Sequence, residues 1–365
     1  VISGLRLLLT ALIGSSFDPR LAARADAIPG QVPAPVVVFA DPIEGRTLRG
    51  DFEVPDRVLV VYSRSWPKAT EHIATQVLDS GNQLGLLLEA DSSADKLRRL
   101  HARLGERHGE RVQVLDAVVD TPWVRDWGPL QVRRGETSLW LDADYDDAER
   151  AADDEAPKWL AKQHAVELAE LPWALDGGAF VSNGAGLCVL TLEYLDVQGI
   201  SWDDGDLRGL LARLGCRATA LVPTLVAEQT KHADMIAQFI APDRLMLAEV
   251  VDDLGGHGED AQRLAAAELG IRAAARALGH QLEIVRIPTP PSRRWQNPRS
   301  YVNGLRLADR YLMPSYPELG DAWESNARSA VRIAMDGLPV VSIDTSEMIA
   351  IGGSIHCASL GVFSR

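Results

Sequence analysis

The sequence predicts an α/β protein in which strands outnumber helices, and three observations lead there. Short runs rich in β-branched residues, such as Val36–Phe39 and Val58–Tyr62, recur along the chain. Amphipathic stretches with helical spacing lie between them, the clearest at Asp260–Leu278. Two or more strands fall to each helix in a repeat of roughly 50–70 residues, which is not strict βαβα winding.

In chain order, the strands at Val36–Phe39 and Val58–Tyr62 precede a helix at Ala94–Leu104 and a strand at Val112–Val118. Helices follow at Lys158–Leu168 and Asp206–Leu214, with a strand at Leu187–Thr191 between them. The Ala-rich helix at Asp260–Leu278 ends before Gly279, as helices commonly do. Strands at Leu282–Ile287 and Arg310–Met313, a helix at Trp323–Met335 and a strand at Val340–Ile343 complete the series. Pro288–Pro298 carries four prolines together with Arg293, Arg294 and Trp295. Proline has no N–H to donate, so this stretch reads as a loop, either a lid or a surface connection.

At the amino terminus, Arg6 precedes the apolar stretch Leu7–Gly14, and Ala25-Asp26-Ala27 offers a small-residue cleavage site. Residues 1–30 are thus expected to be a signal peptide or a flexible terminus, and residues 31–365 a single domain. A cleaved signal would make the protein periplasmic or secreted; otherwise it would be cytoplasmic.

With 37 basic and 51 acidic side chains the net charge is −14, which repels phosphate backbones and argues against a nucleic-acid partner. It suits a cationic small molecule or basic peptide. No run of apolar residues is long enough to span a membrane. The three cysteines, Cys188, Cys216 and Cys357, are odd in number and widely spaced, which suggests neither a disulfide framework nor a zinc cluster. Cys188 and Cys216 read as packing residues. Cys357 differs, since glycines precede it and a histidine adjoins it.

Four segments place ionisable residues where a plain core would not. The first, Thr121-Pro122-Trp123-Val124-Arg125-Asp126-Trp127-Gly128-Pro129, sets an acid beside flat apolar walls. That suits a guanidinium, which takes bidentate bonds from a carboxylate and stacks on aromatic rings; a structural Arg-Asp pair in a turn is the alternative. The second, Asp176-Gly177-Gly178-Ala179-Phe180 followed by Asn183-Gly184, implies a tight hairpin with positive φ at its glycines and need carry no chemistry. The third is Thr230-Lys231-His232-Ala233-Asp234-Met235. On a strand His232 and Asp234 would share a face, giving a proton carrier beside a cation-binding carboxylate, or simply a surface pair. The fourth is Gly352-Gly353-Ser354-Ile355-His356-Cys357. Its glycines let backbone approach a ligand closely, and its thiol needs a nearby cation to ionise, which a guanidinium substrate could supply. Neighbours on a strand point to opposite faces, so His232 is the better acid/base partner for Cys357 than His356.

Together with Ser300-Tyr301-Val302-Asn303, these segments resemble the bacterial peptidyl-arginine deiminase and agmatine deiminase family, within the guanidino-group-modifying (pentein) superfamily. The resemblance runs from about Val58 to the carboxyl terminus. It implies an α/β propeller of ββαβ-type modules around a pseudo-fivefold axis, with the site in the central channel. It also implies Cys357 as nucleophile, His232 as acid/base, Asp126 and Asp234 gripping the guanidinium, and Asn303 and Trp123 in the substrate pocket. No cofactor or metal is implied, and the expected partner is a cationic guanidino compound. Ala179 departs from the family's asparagine. The stretch Asp142–Pro157, with Tyr145, Arg150, Asp153 and Asp154, resembles the segment that carries a carboxylate-binding arginine in the peptidyl-arginine enzymes, with shifted spacing. Arg150 is the candidate for that clamp. The reaction favoured on these residues is hydrolysis of peptidyl or free arginine to citrulline, with agmatine to N-carbamoylputrescine as the runner-up. Amidino transfer and a non-catalytic arginine-binding module are the competing readings.

Overall fold

The computed structural model describes residues 33–39, 45–145, 149–201, 205–251, 258–291 and 296–364. The candidate signal segment and residues 292–295 of the proline-rich loop, on which the lid reading rests, lie outside them. Five small sheets are present among the described residues. Each contains an antiparallel strand pair whose second strand is joined through a helix to a parallel third, the ββαβ unit.

The first module has Arg57–Tyr62, helix Pro67–Asp79 and Gln83–Glu89, extended by helix Ala94–His108 and Val112–Val119. Its antiparallel partner is Ser359–Val362 from the far end of the chain. The second has Leu130–Arg134, Thr137–Asp144, helix Ala151–His164 and Glu167–Ala174, flanked by Arg46–Leu48. The third has Phe180–Ser182, Leu187–Thr191, helices Leu192–Val197 and Gly205–Leu214, and Ala218–Val222, flanked by Val36–Val38. The fourth has Ala237–Ala241, Arg244–Val250, helix Glu259–Ala277 and Glu283–Thr289. The fifth has Leu305–Arg306, Tyr311–Ser315, helix Asp321–Ala334 and Val340–Asp344.

The modules close into a ring because each helix also packs on its neighbour's sheet. Glu259–Ala277 lies on Ala218–Val222, Asp321–Ala334 on Glu283–Thr289, Gly205–Leu214 on Arg46–Leu48, and Ala151–His164 on Val112–Val119. Helix Pro67–Asp79 packs on Val340–Asp344 and so joins the first module to the last. The buried apolar residues form five clusters, one at each junction; Leu84 and Ile73 meet Leu312 and Ile343 where the ring closes. Burying apolar surface between modules is what fixes the ring, since neither face of so small a sheet is covered otherwise.

Several elements differ from their sequence-based bounds. Helix Ala151–His164 starts seven residues before the expected Lys158, running through Pro157, and Leu168 belongs to the next strand. Proline removes one hydrogen bond there, but its ring is buried in the helix's packed face, and the buried Asp153 anchors the first turn. Strand Glu283–Thr289 runs through Pro288, which was expected to be loop; it is an edge strand, with hydrogen bonds on one side only. Gly177 and Gly178 do not have positive φ; Gly184 and Gly186 do, and they make the turn of the hairpin that follows. Finally, Cys188 and Cys216 form a disulfide, with Cα atoms 5.7 Å apart. Parallel pairing of Leu187 with Ala218 brings the two together across the helical crossover, an approach their wide spacing conceals.

Candidate active site

The segments singled out in the sequence, with Asn303, are the five connections between modules. Residues 120–129 join the first to the second, 175–179 the second to the third, 223–236 the third to the fourth, 290–304 the fourth to the fifth, and 345–358 the fifth back to the first. A ring sends all five connections to one end of its centre, which explains how residues so distant in sequence meet. Four of them line a pocket of about 190 Å³ that includes Trp123, Asp126, Asp176, His232 and Cys357, and the fourth connection, 290–304, contributes none of its lining. Tyr145, Arg150, Thr230, Ile351, Gly352 and Gly353 complete its wall. A larger cleft of about 730 Å³ lies beside Arg57 and His164, but no cysteine lines it.

Cys357 is a free, buried thiol. Its Sγ lies 3.7 Å from Asp234 Oδ2 and 3.4 Å from the side-chain amide of Asn303. Residues 355–358 form turns rather than a strand, so His356 and Cys357 do not diverge; both reach Asp234. Asn303 is fully buried behind the thiol, outside the residues that line the pocket. Gly353 has no room for a side chain: a Cβ would fall 2.6 Å from Trp123 and 2.9 Å from the Cβ of Cys357. The Arg125 N–H donates to the Cys357 carbonyl at 3.1 Å, tying the first connection to the last.

Asp234 sits on a short 3-10 turn, Ala233–Met235, that His232 precedes, rather than on a strand; both side chains still converge beside Gly178, His232 lining the pocket and Asp234 behind its lining. His232 is held on both sides: Nε2 is 2.9 Å from Asp176 Oδ2, and Nδ1 is 3.5 Å from Asp126 Oδ1. The buried Glu228 accepts from the His232 and Thr230 backbone N–H groups and from the Thr230 hydroxyl, fixing the loop before it. Gly178 forms the floor, where a Cβ would lie 2.6 Å from His232 Nδ1 and 2.7 Å from Asp126 Oδ1. Ala179, which replaces the family's asparagine, is fully buried in the core between the second and third modules.

Trp123 packs on Trp66 with centroids 5.1 Å apart. Arg150 donates from Nη1 to Tyr145 Oη at 2.8 Å. Asp153 and Asp154 have structural partners: Asp153 accepts from Asp120 N–H and from Thr121, while Asp154 accepts from Tyr145 N–H.

The charges couple strongly. Burial and the neighbouring Asp176 and Asp234 carboxylates push Asp126 up to about 7, against the pull of His232. Burial opposes protonation of His232, but Asp126, Asp176 and Asp234 outweigh it and hold its pKa at about 10. Burial, reinforced by Asp234 and Asp126, pushes the Cys357 thiol well above its ordinary value. These surroundings favour a neutral thiol beside an imidazolium. Asp126 Oδ1 and Asp234 Oδ1 are buried without a hydrogen-bond partner, which is costly unless a ligand supplies donors.

Two of these features escaped the sequence-based reading: Asp176, hidden in what looked like a turn signal, and His356 as a partner of Asp234. An acid placed immediately before paired glycines at an inter-module connection was the available signal for the first.

Comparison with known proteins bears on the fold and the family. A protein of Streptomyces coelicolor provisionally named an agmatine deiminase is 24% identical over 272 residues, 68% of this chain and 78% of its own length. The agmatine deiminase of Enterococcus faecalis superposes with a TM-score of 0.70 at 18% identity, covering 89% of this chain and 98% of that one. A Porphyromonas gingivalis protein provisionally named an arginine deiminase gives 0.73 at 18% identity, covering 86% and 97%. The fold is the pentein fold that the resemblance implied. Residues 57–362 match the family described as Porphyromonas-type peptidyl-arginine deiminase, and the chain belongs to that family, hydrolases that act on guanidino carbon–nitrogen bonds.

Proposed function

We propose that this chain releases ammonia from a guanidinium compound through a covalent thiouronium on Cys357. The observation that carries the reading is the convergence of the buried Asp126 and Asp234 on the centre that holds the Cys357 thiol, with Asp234 Oδ1 lacking a hydrogen-bond partner and Asp126 Oδ1 meeting only His232 Nδ1 at 3.5 Å, beyond a good hydrogen bond. A guanidinium has N–H donors on two edges and a positive charge, so it would satisfy both acceptors and present its central carbon to sulfur.

The cation also answers the thiol's high proton affinity, since a positive charge in the pocket favours the thiolate, and the thiol proton passes to solvent as the cation binds. Sulfur then attacks the guanidinium carbon to give a tetrahedral adduct. The protonated His232 gives its proton to one amino group, and the carbon–nitrogen bond breaks as ammonia leaves. Water attacks the planar thiouronium while neutral His232 takes its proton. Breaking the carbon–sulfur bond returns the thiolate and a ureido product. Asp176, bonded to Nε2, orients the imidazole and stabilises its charged form.

Agmatine is the substrate we propose first. Its support is the repeated naming of relatives as agmatine deiminases. Arginine with a free carboxylate, in a peptide or alone, is the second reading, favoured by Arg150 in the same wall. Ammonia release from agmatine, arginine and a peptide ending in arginine, by wild type and Arg150→Ala, separates them. Agmatine turned over fastest, with little change in Arg150→Ala, supports the first. Peptide or arginine preferred, and that preference lost in Arg150→Ala, replaces it with the second.

A further inference from the structure

We infer that His356 is a positioning residue that holds Asp234 from behind, so that one carboxylate oxygen stays free for the guanidinium. The inference rests on the deiminase reading and extends it to residues that touch neither substrate nor sulfur.

His356 is buried, 1% exposed, and stands between two acids. Nδ1 is 2.6 Å from Asp234 Oδ2, and Nε2 is 3.2 Å from Asp51 Oδ2, an ionic contact off the line of a good hydrogen bond. Asp51 Oδ1 accepts from Arg125 Nη1 at 2.9 Å. A neutral imidazole has one N–H to offer, whereas the imidazolium has two and answers both carboxylates. Burial and Arg125 disfavour that cation, yet Asp51 and Asp234 prevail and raise its proton affinity above the usual histidine range. The His356 backbone N–H donates to the Asn303 carbonyl at 3.1 Å, which fixes the ring's origin.

The consequence falls on Asp234, whose two oxygens have unequal surroundings. Oδ2 faces His356 and the Cys357 thiol; Oδ1 is buried and unpartnered. Asp126, from the first connection, and His232, from Asp234's own, face the same carboxylate. With His356 in place, the carboxylate cannot rotate without losing a short charge-assisted bond. Its rear charge is balanced while the pocket waits for a cation. Arg125, at the end of the chain, adjoins Asp126, so the row Arg125–Asp51–His356–Asp234 braces both guanidinium-facing acids.

The test compares His356→Ala, His356→Gln and Asp51→Asn by two readouts. The first is calorimetric binding of agmatine and of arginine, with Cys357→Ser added to each variant and serving as the reference. The second is the pH profile of kcat/KM with Cys357 intact. Losing a charged partner to a buried carboxylate predicts that His356→Ala weakens binding roughly 10- to 100-fold. His356→Gln, which keeps a donor but no charge, should recover part of the binding. A carboxylate stripped of an adjacent cation takes a proton more readily, so the acid limb should move to higher pH in both, and less far in Asp51→Asn. If His356→Ala does not fold, His356→Gln and Asp51→Asn decide. Folded variants that bind as the reference does, or lose activity only in step with thermal stability while the acid limb stays put, overturn the inference. Failure of the wild type to release ammonia from any guanidine would instead defeat the deiminase reading, leaving the binding comparison to judge His356.

Discussion

His232 Nε2 lies 2.9 Å from Asp176 Oδ2, a contact that joins the connection before the third module to the one after it. The imidazole is thereby held by a carboxylate on the side away from Asp126. Asp176→Asn keeps the shape and removes the charge. It should lower kcat by roughly 10²–10⁴-fold, the range general acid–base catalysis supplies, while KM changes less. Steady-state kinetics on a variant with unaltered thermal unfolding checks this; wild-type kcat would show that His232 needs no such partner.

The Cys188–Cys216 disulfide closes a loop of sequence separation 28 inside the junction of the second and third modules. Native cross-links of this kind contribute about 2–4 kcal/mol, chiefly by restricting the unfolded chain. Cys188→Ala/Cys216→Ala should therefore unfold at lower temperature yet retain deiminase turnover at low temperature, because neither residue lines the pocket. Peptide mapping without reductant should find the two cysteines linked and Cys357 free. Since disulfides persist in oxidising compartments, the same mapping on material from native cells bears on where the protein matures.

Stability should fall as pH rises through the neutral and mildly alkaline range. His232 is raised from 6.5 to about 10 on folding, so its contribution is complete below pH 6.5 and is lost as pH climbs to about 10. Asp126, raised from 3.8 to about 7, acts in the same sense at lower pH, its contribution being lost between about 3.8 and 7, because its ionisation is less favourable in the folded chain. Denaturant titrations should show the decline between pH 6.5 and 10, amounting to a few kcal/mol at most (~1–4), and His232→Asn should flatten it. An equally steep decline in that variant would assign the effect elsewhere.

Much of this molecule can be read in its sequence, and the rest is hidden for physical reasons. The strands near Val58, Val112, Leu187 and Val340 show because they are β-branched or leucine-rich runs. The helix at Pro67–Asp79 and the strand at Gln83–Glu89 do not stand out: one opens with scattered polar residues, and the other is leucine-rich enough to suit a helix. Ring closure depends on Ser359–Val362 pairing with Arg57–Tyr62, a contact across nearly the whole chain that no local pattern encodes. At the site, Trp123, Asp126, His232, Asp234 and Cys357 are legible because each interrupts apolar sequence with chemistry. Asp176 and Gly178 are not, since Asp-Gly-Gly is also ordinary turn sequence, and only the approach of His232 and Asp126 shows why a side chain at residue 178 would not fit.

The most direct test is mass spectrometry of His232→Ala incubated with agmatine or arginine, alongside ammonia release by the wild type and Cys357→Ser. The account predicts ammonia from the wild type and none from Cys357→Ser. It also predicts a covalent adduct on the Cys357 peptide of His232→Ala, where loss of the water-activating base slows hydrolysis of the thiouronium. Ammonia released by Cys357→Ser at the wild-type rate, with no adduct on Cys357 in His232→Ala, would contradict it.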